Sequence, residues 1–189
     1  MVLNILDLCS GSGEWSRPYR EAGYTVIQVD VKDGQDVRLM KKLPYPIRGI
    51  LAAPPCTDLA GSGARWWTEK GTEALIESLS IVDACLRAVV IYRPKWWALE
   101  NPVGRLVHYL GEPKLRFDPN DYAGYSEDPE SNEYSKYTCI WGEFNLPEPE
   151  PGYMRKKDYI HRMPPSDERA TLRSITPDGF AKAFMEANP

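Results

Sequence analysis

Two segments of this chain carry side chains able to make and break bonds. Ala53-Pro54-Pro55-Cys56-Thr57 places a thiol directly after an apolar run, and the two prolines stiffen the turn holding it. Glu100-Asn101-Pro102 ends another apolar run, so its carboxyl could converge on the same place. In an open α/β sheet, ligands bind beyond the carboxyl ends of the strands. A thiol there can act as a nucleophile, and a buried carboxyl as a proton donor. A plain loop cysteine and a strand-end acid fit the same residues, and both readings stay open. Cys85, in an amphipathic helical pattern, and Cys139, in a strand pattern, read as core residues.

A third segment, Asp7-Leu8-Cys9-Ser10-Gly11-Ser12-Gly13, leaves one apolar run and enters a helical one. Gly11 and Gly13 would let the backbone turn tightly and approach a ligand. Asp30 ends the next strand, where a carboxylate can accept from a ribose diol. Ser16 stands where the dinucleotide fingerprint has its last glycine, which favours an adenosyl ligand over a pyrophosphate-bearing one. A glycine turn of any α/β domain would read alike without that context.

The elements that must position these groups alternate. Strands are predicted at Asn4–Leu8, Thr25–Asp30, Gly49–Ala53 and Trp96–Leu99, the last broken by Pro102. Helices are predicted from Trp15 to Ala22 and from Thr72 to Tyr92, where Leu75, Ile76, Leu79, Val82, Leu86 and Val89 recur near the helical period. Such alternation implies a parallel, doubly wound α/β sheet with helices on both faces. Gly111–Tyr134 and Leu146–Pro165 read as loops, Tyr137–Trp141 as a further strand, and Pro177–Ala187 as a closing helix. The 189 residues suit one domain, with 143–174 as a loop-rich excursion.

Composition narrows the class. The chain is 42% hydrophobic and 26% charged, with no apolar run of membrane-spanning length and no leader pattern. A cytoplasmic enzyme without a membrane partner is expected. Four scattered cysteines and two distant histidines give no metal-site spacing, so no metal is expected. A formal charge of −4 disfavours broad gripping of duplex DNA, which phosphate neutralisation drives. The basic residues gather late, at Arg155, Lys156, Lys157, Arg162, Arg169 and Arg173, diluted by Asp158, Asp167 and Glu168.

Taken together, Asp7–Gly13, Pro54-Pro55-Cys56 and Glu100-Asn101 resemble the cytosine-5 DNA methyltransferases, in that family's order. Glu100-Asn101-Pro102 and Thr138-Cys139-Ile140-Trp141-Gly142 resemble its short phage-type members, and the likeness runs from Leu3 to about Phe184. The resemblance implies a Rossmann-like class I S-adenosylmethionine-dependent methyltransferase fold. It implies methyl transfer to carbon 5 of cytosine in DNA, in the cytoplasm of a bacterial or phage-infected cell, by a monomer. Cys56 would attack carbon 6 and Glu100 would protonate or hydrogen-bond nitrogen 3. Gly11, Gly13, Asp7 and Pro54 would line the cofactor, Asp30 would take its ribose, and Asp36, or nearby Asp33, the adenine amino group. Pro55 and Asn101 would shape the substrate side.

Three departures from the family pattern bear on function. Cys9 occupies the place of the aromatic that stacks on adenine, and Trp15 could replace it or belong to the core. The family's Gln-x-Arg-x-Arg aligns with Asn132-Glu133-Tyr134-Ser135-Lys136, leaving Lys136 to reach the base carbonyl and Tyr134 to stack or hydrogen-bond. Glu143 to Ser174 replaces a far longer recognition region, so weakly specific or single-stranded DNA, or a free deoxycytidine nucleotide, is the expected acceptor. The loop Gly61–Arg65 could close over a base, with Arg65 on a phosphate and Trp66-Trp67 behind it, or merely anchor a helix. A catalytically inactive binding module is the rival of another class.

Overall fold

A computed structural model of the chain describes residues 3–153 and 173–189. The basic residues from Arg155 to Arg169, and most of the segment replacing a recognition region, lie outside the described residues.

Short apolar strands form first in the chain: β1 (Asn4–Leu8), β2 (Thr25–Val29) and β3 (Gly49–Ala52). Between β1 and β2 lies helix α1 (Arg17–Glu21), with Pro18 in its first turn, where a missing N–H costs nothing. Helix α2 spans Trp67–Tyr92, but Gly71 leaves the helical region, so the regular helix runs from Thr72, as the apolar period implies. Strand β4 (Trp96–Pro102) follows, then the short helix α3 (Val107–Leu110) and strand β5 (Leu115–Phe117). Helix α4 (Pro129–Asn132), strand β6 (Thr138–Glu143) and helix α5 (Asp178–Ala187) complete the described elements.

The six strands lie in the order β2-β1-β3-β4-β6-β5. Strands β2, β1, β3 and β4 run parallel, which makes this a Rossmann-like, doubly wound α/β sheet. The parallel pairing expected from the alternating first half gives way to antiparallel pairing at the far edge. Strand β6 pairs antiparallel with β4, and β5 antiparallel with β6. β5 lies in a stretch expected to be loop, because three residues beside a Pro- and Asp-rich segment give no periodic signal. Pro102 likewise falls inside β4, at its last position, where its ring disturbs little.

Alternation along the strands divides the core between two faces. On one, Leu6, Leu8, Ile50, Ala52 and Leu99 pack against Val82, Cys85 and Ala88 of α2. On the other, Ile5, Leu51, Ala98 and Ile140 meet an aromatic cluster from α1 and α5. Phe180 stacks on Phe117 with ring centroids 3.8 Å apart, and Phe184 meets Trp96 edge-on at 5.7 Å. Burying each such ring contributes about 1.5–3 kcal/mol. Tyr19 and the ends of α5 and β6 are sewn together by Asn188, which bonds Asn145 on both sides. Among the described residues no helix is long and apolar enough to cross a membrane.

Candidate active site

Strand order, not strand direction, reverses between β1 and β3, which are parallel neighbours although β2 separates them in sequence. That switch point opens a crevice at the carboxyl ends of the strands. The glycine loop enters it from β1 and the Pro54-Pro55-Cys56 turn from β3. Ala53 N–H donates to Leu8 O at 3.0 Å, joining the two, and Cys9 N–H donates to Val29 O at 2.8 Å, tying the glycine loop to β2.

Gly11 holds φ +51°, and a side chain there would meet no atom within 4 Å, so the loop faces open space. Its N–H donates to Asp30 at 2.8 Å, and Lys32 N–H donates to the other Asp30 oxygen at 2.9 Å. Asp30 is thus fixed at the crevice with lone pairs to spare. The Ser10 hydroxyl is buried with no hydrogen-bond partner among the described residues. A glycine backbone, an oriented carboxylate and an unpaired hydroxyl together fit the polar edge of an adenosyl ligand.

Asp7 lies behind this loop, fully buried, accepting from the Ser16 hydroxyl at 2.5 Å. Arg20 donates to Ser16 at 2.8 Å and to Gly13 O at 3.1 Å, so Asp7 anchors the loop from beneath. Burial pushes its carboxyl up to about 6, against the lowering effect of Ser16, Gln28 and Arg20. Protonated Asp7 therefore stabilises the fold below the ordinary 3.8, and that contribution is lost as pH rises toward 6. Asp7→Asn keeps an acceptor for Ser16 without the buried charge. It is expected to abolish this loss and to raise stability at neutral pH by up to roughly 3 kcal/mol. Urea denaturation at several pH values measures it; a stability that still falls across the window would assign the titration elsewhere.

Two expected cofactor contacts are altered by packing. Trp15 is 3% exposed, its ring held between Phe180 at 6.3 Å and Phe184 at 5.7 Å, so stacking on adenine is not its role. Asp36 is engaged by Arg38, which grips both its oxygens and also pairs with Glu77. That contact holds the Asp36 carboxyl below its usual range. Cys9 is half-buried with φ +54°, packed against the core cluster.

On the acceptor side, Asn101 is fully buried and donates to Pro54 O at 2.9 Å, locking the proline turn to β4. Arg105 donates to Asp58 O at 2.7 Å and lies over the Trp67 ring at 4.6 Å. A Cβ on Gly104 would sit 2.0 Å from Leu59 O, so only glycine permits the approach of these two loops. Trp67 is thereby a helix anchor, whereas Trp66 stays exposed.

The thiol, the acid and the ammonium do converge. Cys56 is exposed as a residue, yet partial burial of its sulfur pushes the thiol up, and the nearby Glu100 charge pushes it further. Lys136 and Arg173 act in the opposite sense on the same sulfur. These observations agree if the sulfur is turned inward from a solvent-facing turn. Burial pushes the Glu100 carboxyl up, partly offset by Lys136. Burial also lowers Lys136, although Glu100 and Cys56 favour its charged form. The Lys136 ammonium donates to Ile175 O at 2.9 Å, and its backbone N–H donates to Asp118 at 2.8 Å.

Register explains the convergence. β6 pairs Pro102 with Thr138 and Glu100 with Ile140, which delivers Lys136 to the carboxyl end of β4. Tyr134 sits nearby, its phenol pushed up to about 12 by burial and by Asp178. Asn132 does not reach the site; it donates to Asp178 at 2.6 Å. Arg65 lies over Trp66 at 4.9 Å, and Pro55 is exposed beside the thiol. Arg173, one of the late basic residues, also belongs to the site, where its charge acts on Cys56 and Lys136. It donates to Ser62 at 3.2 Å, and within a basic run nothing singled it out. By contrast, the concavity of about 510 Å³ at the amino ends of β3 and β4, among Arg48, Lys95 and Lys114, has no nucleophile among its described lining residues.

The fold and this site define an open α/β domain with a thiol, a buried carboxyl raised above its ordinary pKa and two cations beside a crevice suited to an adenosyl ligand. No protein-family model matches the chain, and no curated protein matches it. Among solved structures it is similar to one described as a candidate DNA modification methyltransferase encoded within an E. coli prophage. The two are 18% identical with a TM-score of 0.46, over 74% of this chain and 46% of the other. This chain therefore spans under half that protein's length, and the likeness adds nothing to the argument from geometry.

Proposed function

We propose that the protein transfers a methyl group to carbon 5 of cytosine in DNA through a covalent bond to Cys56. The observation that carries this reading is the convergence of Cys56, Glu100 and Lys136 beside the β1–β3 crevice. Carbon 5 of cytosine is a weak nucleophile, and addition of a thiolate to carbon 6 makes it enamine-like. As the sulfur–carbon bond forms, Glu100 gives its proton to ring nitrogen 3, so no charge accumulates in the ring. Lys136 would donate to the base carbonyl. S-adenosylmethionine, bound by Gly11, Ser10 and Asp30, would supply the methyl group as an electrophile. Loss of the carbon 5 proton to a water molecule then expels Cys56 as thiolate, while ring nitrogen 3 returns its proton to Glu100. Asp36 could reach an adenine amino group only by sharing its carboxylate with Arg38.

Incubation with cofactor and 5-fluorocytosine substrates tests this, because fluorine cannot leave as a cation and the adduct persists. An oligonucleotide adduct on Cys56, seen as a mass shift of the intact protein, is the expected result. An adduct formed only with a 5-fluorodeoxycytidine nucleotide would move the acceptor to the free nucleotide, which the formal charge of −4 favours. Cofactor binding with no adduct at all would overturn covalent transfer and leave a binding module.

A further inference from the structure

Trp15, Trp96 and Trp141 are each 5% exposed or less, as large rings usually are. Trp66 is 47% exposed and Tyr137 is 54% exposed. Both belong to segments that flank the end of β4, the strand that carries Glu100. Trp66 ends the tight turn Gly61–Trp66, whose first N–H donates to Val103 O at 2.8 Å, just past the strand that carries Glu100. Tyr137 sits between Lys136 and Thr138, the partner of Pro102 on that strand. Arg173 joins the two, since it bonds Ser62 of the same turn while its charge acts on Cys56 and Lys136.

We infer that Trp66 and Tyr137 are stacking platforms for the bases flanking the target cytosine, and that the acceptor is single-stranded DNA. This rests on the proposed reading of the site and names its substrate more narrowly. An exposed indole and an exposed phenol at one rim offer what unpaired bases seek and paired ones cannot reach. Charge fits as well. Within a chain of net charge −4, Arg65 and Arg173 both belong to this region, and the Arg65 guanidinium lies 4.9 Å from the Trp66 ring centre. A cation held over an aromatic face is suited to a backbone phosphate beside a stacked base. A free nucleotide has no neighbouring bases to fill these platforms, and a duplex keeps its bases stacked on one another.

The test is binding rather than turnover. Fluorescence anisotropy of a labelled single-stranded oligodeoxynucleotide with one central cytosine reads affinity for the whole protein. Trp66→Ala and Tyr137→Ala are each expected to weaken binding by about tenfold. Replacing the bases flanking the cytosine with abasic units should weaken wild-type binding similarly. The two losses should not multiply when combined, because they remove opposite halves of one contact. Trp66→Phe, which keeps a ring, should retain most of the affinity and shows that the turn still folds. Affinities within about twofold of wild type for both alanine variants would overturn the inference. So would a duplex of the same sequence binding as tightly as the single strand. Ring-dependent binding without a fluorocytosine adduct would sink the chemistry and leave the platforms. An adduct with ring-independent binding would do the reverse.

Discussion

Cys56→Ala is expected to lower methyl transfer by about four orders of magnitude or more while leaving the fold and the cofactor crevice intact. The turn does not depend on the thiol for its shape. Cys56 O accepts from Leu59 and Ala60 N–H at 3.0 and 2.8 Å, and Asn101 holds Pro54 from below. Removing the sulfur therefore removes one bond-forming atom and little else. Single-turnover transfer from radiolabelled cofactor measures the effect, with thermal unfolding as the control. A residual rate within about tenfold of wild type would place the nucleophile elsewhere.

Glu100→Gln is expected to slow the reaction by about 10²–10⁴-fold and to change how the rate depends on pH. The reactive state needs Cys56 deprotonated and Glu100 protonated. Glu100 is raised above its ordinary 4.5 by burial, and Cys56 above its ordinary 9.0 by burial and by the Glu100 charge. Between those two values, each gain in thiolate with pH is matched by a loss of protonated carboxyl. Wild-type kcat/KM should therefore be flat across the neutral range, falling below the carboxyl's pKa and above the thiol's. Glutamine cannot lose a proton in that range. The variant's kcat/KM should instead climb about tenfold per pH unit until the thiol ionises. A variant with the wild-type plateau would show that Glu100 is not the acid.

The parallel half of the sheet was legible because each of its strands is an apolar run closed by turn residues. β1 ends at Cys9-Ser10-Gly11, and β3 ends at Pro54-Pro55. The long helix was legible for the same reason, down to its regular start after Gly71. The antiparallel edge was not. Its pairing of β6 with β4 joins residues far apart in sequence, and β5 is too short to show a period. Cys56 and Glu100 were readable as strand-end residues, and Lys136 only through alignment to a motif. What brings Lys136 to the site is the register of β6, which no local pattern encodes. Trp15 was ambiguous for a physical reason: an indole suits both an adenine and an aromatic core, and only the positions of Phe180 and Phe184 decide. Asp36 and Arg38 stand two residues apart, so the ion pair between them competes with any ligand.

Residues of the two halves of the site differ sharply in their distance along the chain. Gly11 and Asp30 are 19 residues apart and are joined by one crossover between neighbouring strands. The thiol, carboxyl and ammonium meet only after β4 has paired with β6, and Arg173 arrives from beyond both. Closing long loops costs entropy before any contact repays it. The loop and carboxylate of the crevice are thus near neighbours in sequence, while α5, from the far end of the chain, packs beneath them through Phe180 and Phe184. The thiol–acid cluster depends on the nearly complete chain twice over: β6 carries the ammonium into place, and the segment after it supplies Arg173.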